Sequence, residues 1–110
     1  MTTYMEAVQA AADSLEAWKW LTTVKCNSLS LSRDDNHACN YMTATDWIDG
    51  HPEDYADTDP QEVERMRATN TIWQLQIYPH TPVGFNVWYG ATADYVVRAA
   101  FDDYRKGETP

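Results

Sequence analysis

Residues 71–78 and 83–89 each alternate their side chains by twos, and only Pro79-His80-Thr81-Pro82 stands between the two runs. A period of two sends successive side chains to opposite faces of a strand, so the pair reads as an antiparallel hairpin. In the first run Trp73, Leu75 and Ile77 share one face, against Ile72, Gln74, Gln76 and Tyr78 on the other. In the second, Val83, Phe85, Val87 and Tyr89 oppose Gly84, Asn86 and Trp88. After Gly90 the period changes to that of a helix. Thr92 supplies a cap, Ala93, Val96, Val97, Ala100, Phe101 and Tyr104 form an apolar stripe, and Arg105, Lys106 and Gly107 close it. An apolar sheet face has to be covered, and this helix is the nearest cover. The predicted core is therefore Trp73, Leu75, Ile77, Phe85, Val87, Val97 and Phe101.

The rest of the chain extends the same architecture. Thr3-Tyr4-Met5-Glu6 is a capping-box pattern, in which the Thr hydroxyl and the Glu carboxylate each satisfy a free backbone N–H of the other residue. Met5, Val8, Ala12, Leu15 and Trp18 follow at three- and four-residue steps, flanked by Ala11 and Leu21, which predicts a helix with one apolar face through residue 23. Residues 28–32 alternate Ser and Leu as a half-buried strand does; residues 33–36 supply a turn, and residues 37–43 a second strand. Residues 43–59, broken by Gly50 and Pro52, read as an ordered connection with single helical turns. Asp59-Pro60-Gln61-Glu62 then starts a short helix that runs to Ala68. The order α-β-β-α-β-β-α predicts one small α+β domain over residues 1–110, a mostly antiparallel sheet with helices packed on one face.

Charge narrows the function. With 17 acids against eight Lys and Arg, the net charge is −9, and a chain of that sign repels nucleic acids and anionic membranes at long range. No apolar run is long enough to span a bilayer, and Glu6 and Asp13 stand where an export signal needs bases, so a cytoplasmic protein is expected. In that setting Cys26 and Cys39 are expected as free thiols.

Between residues 34 and 64 there are ten acids and no Lys or Arg. They are Asp34, Asp35, Asp46, Asp49, Glu53, Asp54, Asp57, Asp59, Glu62 and Glu64, and Trp47 and Tyr55 lie among them. A disordered acidic tail lacks such apolar anchors. Carboxylates held beside aromatics suit the basic groove of another protein, because charge steers the encounter and buried rings resist dissociation. These twelve residues are the predicted partner-binding set. Gln74, Gln76, Tyr78, Asn86 and Trp88 form a second candidate surface on the outer sheet face; the alternative is that helix one or the first hairpin covers that face, in which case Trp88 is core.

The competing chemistries lack their patterns. The acids do not follow the spacing of a calcium loop, and Cys26 and Cys39 are thirteen residues apart, unlike the close cysteine pair of a structural zinc site that His37 and His51 would complete. No metal site and no cofactor are expected. There is no Gly-x-Ser-x-Gly, no glycine-rich phosphate loop and no His-Glu-x-x-His, which leaves Cys39 with His37 as the nearest approach to a thiolate and base. No enzyme activity is expected.

In its size, its base-free acidic stretch from Asp34 to Glu64 and its lack of catalytic motifs, the chain resembles the small acidic single-domain inhibitors encoded by phages and prophages, anti-CRISPR proteins among them. The resemblance implies a DNA mimic that fills the cationic groove of a nuclease or surveillance complex, a basic nucleic-acid-binding partner. The alternatives are a small metal-dependent or thiol enzyme and a self-associating structural protein.

Overall fold

The computed structural model describes residues 3–24, 28–33, 41–78 and 86–108. Helix α1 spans Tyr4–Leu21 and opens on the expected capping box: Glu6 N donates to Thr3 Oγ1 at 3.1 Å, and Thr3 N to the Glu6 carboxylate at 3.2 Å. Strand β1 (Ser28–Arg33) follows, then a short helix α2 (Ala44–Gly50), a 3₁₀ turn (Pro52–Tyr55), α3 (Pro60–Thr69), β2 (Trp73–Tyr78), β3 (Asn86–Gly90) and α4 (Ala93–Glu108). The connection between residues 43 and 59 thus holds a seven-residue helix followed by a 3₁₀ turn, more helix than the single turns expected there. Asp59 caps α3 by accepting from Gln61 N at 2.9 Å, with Pro60 at the first helical position. At the other end of α3, Asn70 takes the left-handed conformation (φ 51°) that its short side chain tolerates. Its Oδ1 accepts from Ala44 N at 2.7 Å, which ties the start of α2 to the end of α3.

The strands form an antiparallel sheet in the order β1-β2-β3, so the fold is α+β as expected. The register places Leu31 opposite Leu75, and Leu75 opposite Trp88. α4 covers this face: Leu75, Ile77, Val96, Val97, Ala100 and Ala17 form the buried cluster, with Trp73, Trp88 and Phe101 packed against it. α1 packs chiefly on α4, and its Ala17 joins the buried cluster that contains Leu75 and Ile77. Ser14 Oγ and Trp18 Nε1 both donate to Asp94 Oδ1, the latter at 2.9 Å, and Trp20 packs on Phe101 and Tyr104.

Three sequence expectations change here. β3 is in the opposite phase: Trp88 lies on the core face, while Val87, opposite Gln76, is on the other. Trp88 thus belongs to the core, not to the outer candidate surface, and Val87 leaves the predicted core. Asn86 pairs with Ile77, and its side chain lies outside the described residues. The stripe of α1 is buried only near its end; Met5, Val8 and Leu15 are 72%, 45% and 57% exposed. Lastly, Tyr41 has φ 58° and Thr43 caps α2, so residues 41–43 are turn and cap and not strand. The remainder of that expected strand, the Pro79-His80-Thr81-Pro82 turn, Phe85, Cys26 and Cys39 lie outside the described residues.

A second apolar cluster sits at the Gly90 end of the sheet. Ala44, Ile48, Tyr55, Met66, Ile72 and Ala91 are buried together, with Trp47, Val63 and Tyr89 against them. Ile72 and Tyr89 alternate with the core-facing Trp73 and Trp88, so α2, the 3₁₀ turn and α3 cover the opposite sheet face at that end. Gly90 is needed at the junction, because a Cβ there would stand 2.4 Å from Tyr95 Cδ1. Among the described residues no helix is long and apolar enough to cross a membrane.

Candidate functional site

Two separate acidic segments meet beside β3. Tyr55 is buried and its ring lies 4.8 Å from that of Tyr89, which anchors the 3₁₀ turn and so places Asp54 and Asp57; Asp59 follows as the cap of α3. From the other side comes α4. With Val96, Val97 and Ala100 committed to the core, Asp102 and Asp103 fall on its solvent flank. Between these walls lies a cleft of about 520 Å³, lined by the five carboxylates together with Val87, Trp88, Tyr89 and Tyr95, with Lys106 as the one base lining it among the described residues.

Asp103 is partly committed, since its Oδ2 accepts from Trp88 Nε1 at 2.7 Å and holds the indole in place. Asp54, Asp57 and Asp102 are exposed and make no side-chain hydrogen bond or ion pair among the described residues. Uncompensated carboxylates beside low-dielectric aromatic walls focus a negative potential into the cleft, and ring faces add their own attraction for cations. Burial, and after it the Glu62 and Asp59 carboxylates, raise the Tyr95 phenol above the usual tyrosine range. The arrangement suits a guanidinium or ammonium group.

A neighbouring cleft of about 470 Å³ shares Tyr95, Ala99 and Asp102 and is lined also by Glu62, Arg65, Asp94 and Arg98. Its buried acid has a structural role. Glu62, 2% exposed, accepts from Ala91 N and from Arg65 Nη1, each at 2.7 Å. Its carboxylate, first, raises the Arg65 guanidinium above its ordinary value.

The twelve predicted residues therefore divide. Asp54, Asp57 and Asp59 line the acidic cleft. Glu53 is exposed on the same turn but outside its lining. Asp46 completes a capping box with Thr43, and Asp49 and Glu64 both pair with Arg67, at 2.8 and 3.7 Å. Trp47 stacks on His51 at 4.3 Å, and Tyr55 is core. Glu62 is buried as described, and Asp34 and Asp35 lie outside the described residues. Asp102, Asp103 and Tyr95 are site residues that the sequence reading missed. Their only signal was the pair of acids on an otherwise amphipathic helix, which reads equally as a solvated flank.

Among the described residues no group of three His, Cys, Asp or Glu is placed to hold a metal ion. Comparison with protein-family models, curated proteins and solved structures finds no match to this chain.

Proposed function

We propose that the protein is a cytoplasmic binding module that inhibits a basic nucleic-acid-binding protein, such as a nuclease or CRISPR surveillance complex, by seating Lys or Arg side chains of that partner in the acidic cleft. The observation that carries the reading is the convergence of Asp54, Asp57 and Asp59 with Asp102 and Asp103 around Trp88, Tyr89 and Tyr95. Carboxylates aligned at a surface compete with phosphates for the same cationic side chains. The aromatic walls distinguish such a cleft from a merely soluble acidic surface, because they offer apolar area that resists dissociation once charge has steered the partners together.

The test is capture of nucleic-acid-binding proteins on the immobilised chain over a salt series, with duplex DNA as competitor. Binding is expected to weaken with salt and to be displaced by DNA. Asp54→Lys, Asp57→Lys and Asp102→Lys combined should abolish it with the circular dichroism spectrum unchanged, because these side chains make no hydrogen bond or ion pair among the described residues. Single exposed carboxylates contribute about 0.2–1 kcal/mol each, so Asp57→Ala alone should change affinity little. Retention of full binding by the triple variant would exclude the cleft.

A further inference from the structure

The N-terminal part of α1 is a helical arm with nothing packed beneath it among the described residues. Every residue from Tyr4 to Asp13 is exposed, whereas from Ser14 onward the helix is held by Asp94, Phe101 and Tyr104 of α4. The arm runs about 15 Å beyond Ser14. A helix of this length is marginal in water even with a good cap, and an apolar stripe on it gains nothing from facing solvent. Yet Tyr4, Met5, Val8 and Leu15 are 81%, 72%, 45% and 57% exposed.

We propose that this stripe is the docking surface for the same stripe of a second copy of the chain, paired as two antiparallel helices. The spacing is self-complementary. Met5, Val8, Ala12 and Leu15 are symmetric about the point midway between Val8 and Ala12. An antiparallel partner therefore places its Leu15 opposite Met5 and its Ala12 opposite Val8, and each layer is met again in reverse, as a seam of period 3.5 requires.

Charge agrees with this occupant. The stripe is uncharged in a chain of net charge −9, and Glu6 and Asp13 lie on the far side of the helix. Glu16 flanks the seam, but antiparallel pairing separates the two copies of it by about 18 Å along the axis. The same orientation sends the two acidic bodies to opposite ends of the pair; a parallel arrangement would bring them side by side. The available area also sets the strength. Four large side chains and the alanines between them offer about half of the roughly 800 Å² per partner of a standard interface, so the dimer is weak and depends on concentration.

Sedimentation equilibrium of the full chain from about 5 μM to about 500 μM should show conversion from monomer to dimer, accompanied by a gain in helical circular dichroism as the arms order. Val8→Glu with Leu15→Glu should weaken association at least about tenfold. Met5→Gln, at a side chain 72% exposed, should weaken it less and serves as a second variant if the first perturbs the helix. In a Cys26→Ser, Cys39→Ser background, Val8→Cys combined with Ala12→Cys should oxidise to a cross-linked dimer, and Val8→Cys alone should not. A wild-type chain that is monomeric throughout, a dimer indifferent to both the charged pair and Met5→Gln, or faster cross-linking through Val8→Cys alone would each overturn the proposal, the first by leaving the stripe to a different protein.

Discussion

Helices α1 and α4 read alike in the sequence and behave differently in the structure. Each has an N-terminal cap and an apolar stripe at three- and four-residue steps. In α4 the stripe is shut, with Val96, Val97 and Ala100 at 0% exposure. In α1 it is open along most of its length. The difference is one of neighbours: α4 lies on the sheet, whereas α1 lies on α4, which begins at Ala93 and offers the first turns of α1 no surface. Periodicity shows that a helix has an apolar side; whether the chain itself supplies the cover depends on where the other elements end.

The comparison is most sharply tested by truncation on the two sides. Leu75→Ala, beneath the α4 stripe, should cost about 2–5 kcal/mol in urea unfolding, because its 0% exposed side chain leaves a cavity. Phe101→Ala should fall below the 3 kcal/mol or so expected of a fully buried ring, since Phe101 is half-buried. Glu62→Ala should lose about 1.5–3 kcal/mol, the cost of orphaning the Ala91 amide that its carboxylate accepts from. On α1, Met5→Ala should stay within about 0.5 kcal/mol when unfolding is measured on dilute protein. A loss at Met5 comparable to that at Leu75 would erase the distinction. Amide hydrogen exchange sharpens it further: residues 5–13 should exchange far faster than residues 96–101.

The smallest expected effect is alkaline. A phenol whose folded-state pKa is raised contributes no penalty below the unfolded value near pH 10, and its stabilisation is lost as pH climbs through the folded value. Tyr95→Phe should therefore remove one late step from the tyrosine absorbance titration and flatten the loss of stability above about pH 10. A step lost from the ordinary tyrosine range, with the late part of the titration unchanged, would mean that Tyr95 is less enclosed by the cleft than its burial indicates.

Local signals carried most of the fold. The capping box at Thr3 and Glu6, the Asp59-Pro60 start of α3, the alternation of β2 and the stripe of α4 are all set by neighbours within a few residues, and each appears where its pattern predicts it. The phase of β3 was not legible for a physical reason. Alternation reports a face only when one side of the sheet is wet, and at the Gly90 end both sides are covered, Trp88 by α4 and Tyr89 by Tyr55. The candidate site was half legible. Asp54, Asp57 and Asp59 stood in the acidic stretch, but Asp102 and Asp103 reach them only through the packing of α4. Conversely, Asp46, Asp49, Glu62 and Glu64 look like display charges in a count and are engaged in a cap or in pairs with arginines.

One bond governs the shape of the cleft. Its near wall is built just before and at the start of α3 and its far wall on α4, two helices that belong to different apolar clusters and pack on opposite sheet faces. Glu62, in the first turn of α3, reaches Ala91, two residues ahead of α4, and so acts as a strut between the walls. If α3 drew back, Arg65 would stay with one oxygen of the Glu62 carboxylate, but the other oxygen and the Ala91 amide would lose each other in an apolar setting, which makes small openings costlier than the area they expose. The five carboxylates are thereby kept at a spacing that their mutual repulsion would otherwise widen, and a cation entering between them meets a gap already held to size.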